Sequence, residues 1–476
     1  VSTQICIFED KKHSNFLPLS LSRPVFDLRI GTGTLRSRLA DGLPAAPLLL
    51  ICREYLAAVA RAGSPHATVN EPASKATLFL NGRWLALAGE RARILDAVTE
   101  RTIAVKGGYI VAARLPAPAA KDLSQYLARR VDAAAVDAVC DALRTAAKKA
   151  VAAAVKRSAS PSATPPAGGH EDEHAIGGDH VEEKLPLEVE KLIERHGLRR
   201  IVVDDARLLS FPWQLIELSS DVIADDFARL RVRGASDDSI VYPGVHIVDP
   251  DRVVLGEKAS IRAGVVLDAT DGPIVIGERA VIMPNATLLG PCYVGADSIV
   301  NPNSRVLAGC SIGPVCKIGG EVSETIFAAY ANKQHDGFIG NSYVGEWVNI
   351  GAAGNNSDLK NNYSPVRMWC AGGERETGRQ FLGLLMGDHT KTGIGALFNT
   401  GTVVGFSSNI YSGEMPAKFV PSFSWGHGEH MVRYELERAM QTAAVVMERR
   451  NVRFTNLHRE LFETIFRIGE RCAWNA

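Results

Sequence analysis

From Ile276 onward an aliphatic side chain returns at every sixth residue: Ile276, Ile282, Leu288, Val294, Val300, Val306, Ile312 and Ile318. A helix repeats its apolar face every 3.6 residues and a strand every two, so a period of six belongs to neither alone. The position four past each aliphatic is small, as at Ala280, Ala286, Cys292, Ser298, Ser304, Cys310 and Cys316, and a glycine or other small residue often follows the aliphatic, as in IGERAV, VGADSI and IGPVCK. Small and aliphatic positions thus share one interior. Three hexads make one triangular turn of a parallel β-helix, and stacked turns bury the ladder behind three flat parallel sheets.

The same phase runs backwards through Leu255, Ile261 and Leu267, slips by three at Asp271-Gly272-Pro273, and resumes beyond the ladder at Val344 and Ile350. Between lies TIFAAYANKQHDGFIGNS, which breaks the phase and is expected to loop out of a coil or distort it, so residues 324–338 are where chemistry is sought. Residues 354–388 are a second departure, rich in Asn, Gly and charge. The coil returns in TKTGIGALFNTGTVVG and closes at Gly413-Glu414-Met415-Pro416. From His430 to Ala476 the chain reads as amphipathic helices, expected to cap the open end of the stack.

Ahead of the repeat the pattern differs. Residues 3–150 mix short apolar runs such as Ala46 to Cys52 and Ala76 to Leu80 with helical stretches, as in an α/β layer fold. Leu123 to Lys156 is an Ala-rich helix by propensity, and residues 158–183 are a Pro, Gly, Ser and charge-rich linker too polar to pack. Order resumes with a helix in LPLEVEKLIERHG, a strand in RRIVVDD and helices in PWQLIELSSDVIADDFARL. The expected organisation is an α/β domain over 1–235 with the linker at 158–183, a β-helix over 236–425 and C-terminal helices over 426–476.

Composition narrows the partners. The 53 basic and 53 acidic residues balance, so no overall field favours nucleic acid or an anionic membrane. The eight cysteines include no C-x-x-C pair, which indicates buried thiols in a reducing compartment. The opening VSTQICIFED alternates like a strand and lacks the basic start and apolar core of a signal peptide, and no uninterrupted apolar run of about 18 residues is present. A cytoplasmic location is expected. The linker histidines His170, His174 and His180 read as a solvated tail, and His246, His335 and His389 are too dispersed for a zinc site, so no metal is assigned.

HDGFIGNSYVGEWVNIGAA, residues 335–353, resembles the bifunctional sugar-phosphate nucleotidyltransferase/acetyltransferases, whose left-handed β-helix carries a His, an aromatic three residues on, a Gly two further and an I-G-x-x-V-N-I-G-A block. His335, Phe338, Gly340, Val344-Gly345 and Val348 to Ala352 stand in those places. The resemblance implies that His335 is a general base, that acetyl-CoA is the acyl donor, and that a sugar phosphate or sugar nucleotide is the acceptor. It implies acceptor and donor contacts from Asn349, Asn361, Asn362 and Tyr363, and phosphate contacts from Arg305 and Lys333. The family's aromatic is Tyr where this chain has Phe338, so the acceptor can differ. A homotrimer is also implied.

The N-terminal half is similar to the same family at LPLSLSRPVFDLRIGTGTLRSRL, residues 17–39. The Gly-rich phosphate loop that precedes this segment in the family is replaced by IFEDKKHSNF, and Asn81-Gly82-Arg83 stand where the family has a metal-binding Asp. Arg23, Asp27 and Arg29 of the SRP-x-x-D-x-R segment are the candidates for an altered nucleotidyltransferase-like site, as in a divergent subgroup of sugar nucleotidyltransferases. Mg²⁺ is expected only if that domain is active. Two alternatives are a sugar-1-phosphate nucleotidyltransferase with the β-helix as an oligomerisation scaffold, and a non-catalytic sugar-nucleotide-binding protein.

Overall fold

The computed structural model describes residues 3–131, 184–232, 238–370, 373–411, 413–428 and 430–472. The linker at 158–183, its three histidines and the Ala-rich stretch beyond residue 131 lie outside the described residues.

The first unit is a seven-stranded sheet in the order Thr68–Val69, Leu48–Ile51, Gln4–Phe8, Thr77–Asn81, Tyr109–Leu115, Thr102–Lys106, Arg199–Val202. Pairing is parallel except where Tyr109–Leu115 runs against its two neighbours. Side chains alternate along a strand, so a strand buried on both faces feeds two cores. Along the first strand Ile5 and Ile7 join one core with Leu56 and Ile94, while Cys6 and Phe8 join another with Leu123 and Val189. Helices therefore cover both faces.

From Ile240 the chain winds into parallel strands stacked in three sheets of six, six and nine strands. The slip at Asp271-Gly272-Pro273 appears as a step of nine positions from Leu267 to Ile276 on adjoining faces, with Leu255 paired to Ile276. The ladder from Ile261 through Ile318 is fully buried.

Residues 324–338, expected to loop out of a coil or distort it, do not loop out: they form a coil whose corners differ in length from the regular hexads. Ile312 pairs with Phe327, Ile318 with Lys333 and Val322 with Ile339, so the ladder passes straight through the segment. The apparent break has two causes. Corners shorten, with four residues from Ile318 to Val322 and five from Val322 to Phe327 and from Ile339 to Val344. A lysine, Lys333, also occupies one ladder position. The second departure does leave the coil, but only after Asn355–Asn356, which pairs in parallel with Leu397–Phe398. It carries an antiparallel hairpin, Arg367–Cys370 with Gly373–Glu376, and returns at Leu384–Met386.

That hairpin braces the two units together. Met368, Trp369 and Cys370 share a core with Phe16, Leu17, Leu28, Trp213 and Ile326, and Arg379 pairs with Glu217 at 2.5 Å.

The corner leading from the nine-stranded sheet back to the first carries an aromatic in successive coils. Tyr330 stacks on Trp347 at 4.0 Å, followed by Trp347 to His389 at 6.1 Å, His389 to Phe406 at 5.6 Å and Phe406 to Phe423 at 5.6 Å. The two C-terminal helices, Leu436–Glu448 and Asn456–Cys472, are present as expected. Phe462 of the second packs edge-on against His389, Phe406 and Phe423, so the helices lie along this corner and reach the core shared with the first unit. The antiparallel pairing of Ser424–His427 with His430–Arg433 forms the edge of a four-stranded sheet with Lys391–Thr392 and Asn409–Ile410.

Candidate active site

His335 sits on the opposite kind of corner, between the strands Asn332–Lys333 and Phe338–Gly340, and is exposed. Its ring approaches the Gln334 amide, at 3.4 Å, and one imidazole nitrogen is left to solvent or substrate. Three residues on, Phe338 faces outward in one column with Glu321 and Arg305, which the register stacks in successive coils. Asn355 accepts from the Phe338 N–H at 2.7 Å and fixes the top of that column. A base at a corner beside an open, partly apolar face can take a proton from a ligand lying across that face.

The other expected ligands are distributed unevenly. Arg305 is 63% exposed on the column, its guanidinium on Glu321 at 2.6 Å. Lys333 points the other way: its side chain is 1% exposed, and its ammonium donates to Gly319 O at 2.9 Å and His335 O at 2.6 Å. A lysine committed to two carbonyls inside the coil is not presented to a phosphate, which corrects that expectation. Asn349 lies one coil above, half-buried, and accepts from Asn332 Nδ2 at 2.6 Å. Asn361, Asn362 and Tyr363 are exposed on the excursion, beyond the far end of Asn355–Asn356, and none of them hydrogen-bonds His335. The single chain groups His335, Phe338 and Arg305 and leaves the Asn-Asn-Tyr set elsewhere.

The nucleotidyltransferase-like candidates do not form an open site. Arg23 pairs with Glu346 at 2.6 Å and with Asp388, which also accepts from Ser22 Oγ at 2.5 Å; both carboxylates belong to the β-helix. Asp27 pairs with Arg36 at 2.6 Å, and burial pushes its carboxyl up to about 6. The Arg29 N–H donates to Tyr343 Oη at 2.9 Å, and its guanidinium lies 5.9 Å from the Tyr293 ring. The SRP-x-x-D-x-R segment is thus the seam where the first unit docks on the coil. Its partners Glu346 and Asp388 carried no signal in the sequence, being corner residues on either side of the long excursion.

At the carboxyl ends of the central parallel strands, where open α/β sheets bind ligands, the acidic residues are already occupied. Arg53 grips Glu9 with contacts of 3.1 and 2.9 Å, and Arg83 grips Asp10 with contacts of 2.8 and 2.6 Å. Burial opposes these charges, but the adjacent guanidiniums outweigh it and hold both carboxyls below their usual range. His13, fully buried between them, has no partner on either ring nitrogen; burial, aided by Arg53, lowers it to about 4. Magnesium does not fit here, because each carboxylate is neutralised by a bidentate arginine. Among the described residues no group of three or more His, Cys, Asp or Glu is arranged to hold a metal ion.

Residues 5–233 match the family described as sugar nucleotidyl transferase, and residues 273–308 match bacterial transferase hexapeptide repeats. The chain thus joins a region that matches the sugar nucleotidyl transferase family to one that matches transferase hexapeptide repeats. A bifunctional sugar-1-phosphate nucleotidylyltransferase/acetyltransferase of Sulfurisphaera tokodaii is 30% identical over 115 residues, which are 24% of this chain and 27% of that protein. The match therefore spans about a quarter of the relative's length. Similar solved structures include a UDP-N-acetylglucosamine acyltransferase from Campylobacter jejuni, 14% identical over 47% of this chain and 95% of that one, with a TM-score of 0.19. Another is an N-acyltransferase from Bacillus cereus in complex with dTDP and 3-hydroxybutyryl-CoA, 11% identical over 47% and 96%, with a TM-score of 0.16. Both matched families are described as transferases. Among the described residues no helix is long and apolar enough to cross a membrane.

Proposed function

We propose that this protein is an acetyl-CoA-dependent N-acetyltransferase acting on an amino-sugar phosphate or amino-sugar nucleotide. The observation that carries the reading is His335, exposed on a hexapeptide corner beside the outward column of Phe338, Glu321 and Arg305. An amino sugar is protonated in water and cannot attack a thioester until its nitrogen loses a proton. Imidazole is the side chain suited to accept it near neutral pH. In the reaction the ammonium gives one proton to solvent by way of His335, the free amine nitrogen bonds to the acetyl carbonyl carbon, a second proton passes from that nitrogen to His335, and the carbon–sulfur bond breaks. The thiolate of coenzyme A leaves and takes up the proton.

Arg305 is suited to an anionic group on the acceptor, since it lies on the same column and is exposed. Phe338 supplies an apolar contact for the sugar ring. The Asn-Asn-Tyr set at 361–363 lies away from His335 in one chain, which is consistent with a homotrimer in which neighbouring copies complete one site.

Sugar-1-phosphate nucleotidyl transfer by the first domain is the second reading, favoured by the family match over residues 5–233. The Arg53–Glu9 and Arg83–Asp10 pairs weigh against a magnesium-assisted version of it. Thiol release from acetyl-CoA, measured against amino sugars, their 1-phosphates and their nucleotide derivatives, tests the first reading. Turnover with at least one phosphorylated or nucleotide-linked amino sugar is expected; release with none of them would reject it. Sedimentation as a monomer would contradict the trimer.

A further inference from the structure

The corner that carries His335 overhangs the coil beneath it. Ile318 pairs with Lys333 and Glu321 with Phe338, so Gly319 and Gly320 alone span the lower corner while Gln334 to Gly337 span the upper one. The longer corner cannot lay all its backbone groups on the shorter one, and polar backbone groups left without partners are costly.

All four of its carbonyls nevertheless have donors. Gly337 O accepts from Glu321 N at 3.1 Å and Asp336 O from Ala353 N at 2.9 Å. The other two are taken by side chains. Asn301, two coils below, donates Nδ2 to Gln334 O at 2.7 Å, and Lys333 donates Nζ to His335 O at 2.6 Å.

Lys333 reaches that carbonyl from an unusual place. It stands on the buried ladder directly after Ile261, Ile282, Val300 and Ile318, all of them aliphatic. Its stem fills the interior, and its ammonium turns out beneath the corner toward Gly319 O. Gly320 makes room for it: a Cβ there would lie 2.9 Å from Nζ, on a backbone with φ +71°. Burying an ammonium costs stability that an aliphatic residue at the same position would not. The ammonium lies under one specific residue, the exposed histidine.

We infer that Lys333 is a positioning residue for His335, holding its carbonyl so that the overhanging corner presents the imidazole in one orientation. The inference rests on the acyltransferase reading. Lys391 provides an internal comparison, because it donates to Trp347 O at 2.9 Å and His389 O at 2.7 Å and so staples two coils at the aromatic corner, away from His335.

The test is thiol release by the full chain, with thermal midpoints, for wild type, Lys333→Met, Lys333→Gln and Lys391→Met. Lys333→Met keeps the apolar stem and loses the donor. It is expected to lower kcat at least tenfold, leave both KM values within twofold and keep or raise the midpoint. Lys333→Gln, nearly isosteric with Met but carrying an amide donor, is expected to recover at least threefold of that loss, and Lys391→Met to keep wild-type kcat. Unchanged kcat in Lys333→Met, no difference between Met and Gln, or equal losses at 333 and 391 would overturn the positioning role alone. An inactive wild type would overturn the acyltransferase reading and this inference with it.

Discussion

The guanidinium of Arg23 donates to the carboxylate of Asp388 across 365 residues of chain, tying the first domain to a corner of the β-helix. Asp388 receives Ser22 Oγ and the Glu346 N–H as well, so its buried carboxylate is held by donors from both units.

Arg23→Ala removes the cation and leaves Asp388, 6% exposed, without its counterion. Breaking a buried pair from one side costs about 3–5 kcal/mol. The expected outcome is a lower thermal midpoint and separation of the calorimetric transition into two, as the units lose their coupling. A single transition at the wild-type temperature would show that the pair does not hold the units together.

The occupied strand ends make a prediction about metal. Glu9 and Asp10 are each gripped by a buried arginine, so added Mg²⁺ is expected to leave the thermal midpoint unchanged. No pyrophosphate is expected from any nucleoside triphosphate with a sugar 1-phosphate. Mg²⁺-stimulated pyrophosphate release would contradict this reading of the first domain.

His13 sets an acid limit on stability. Its imidazole is surrounded by Glu9, Asp10, Arg53 and Arg83, and burial lowers it from 6.5 to about 4. Between those values the unfolded chain binds a proton that the folded protein refuses, so stability is lost as pH falls through that window. The full loss is roughly 3 kcal/mol. Glu9 and Asp10, held below their usual range, lose their contributions only at lower pH. Urea midpoints at pH 7, 5.5 and 4.5 should fall steeply for wild type and less steeply for His13→Gln, in which His389, also buried and lowered, keeps part of the slope; parallel slopes would exclude His13 as a cause.

Much of the fold was legible because the coil's physics is periodic. A buried ladder of one aliphatic per face shows directly in sequence, and its slip at Asp271-Gly272-Pro273 was visible too. The coil at 324–338 was missed because shortened corners shift the phase without altering the stack, and because Lys333 hides an interior position behind a charge. His335 was singled out by the residues following it, whereas the role proposed for Lys333 depends on a two-residue difference between neighbouring corners. Arg23, Asp27 and Arg29 were recognisable as a motif but not as a seam, since Glu346, Asp388 and Tyr343 lie more than 300 residues away.

The most direct measurement is acetyl-CoA thiol release by His335→Ala on an acceptor the wild type uses, with circular dichroism and sedimentation run alongside. Loss of about 10²–10⁴-fold in kcat with fold and assembly intact is the expected result for removal of a general base. Turnover within a few-fold of wild type in the folded variant would contradict the assignment of His335.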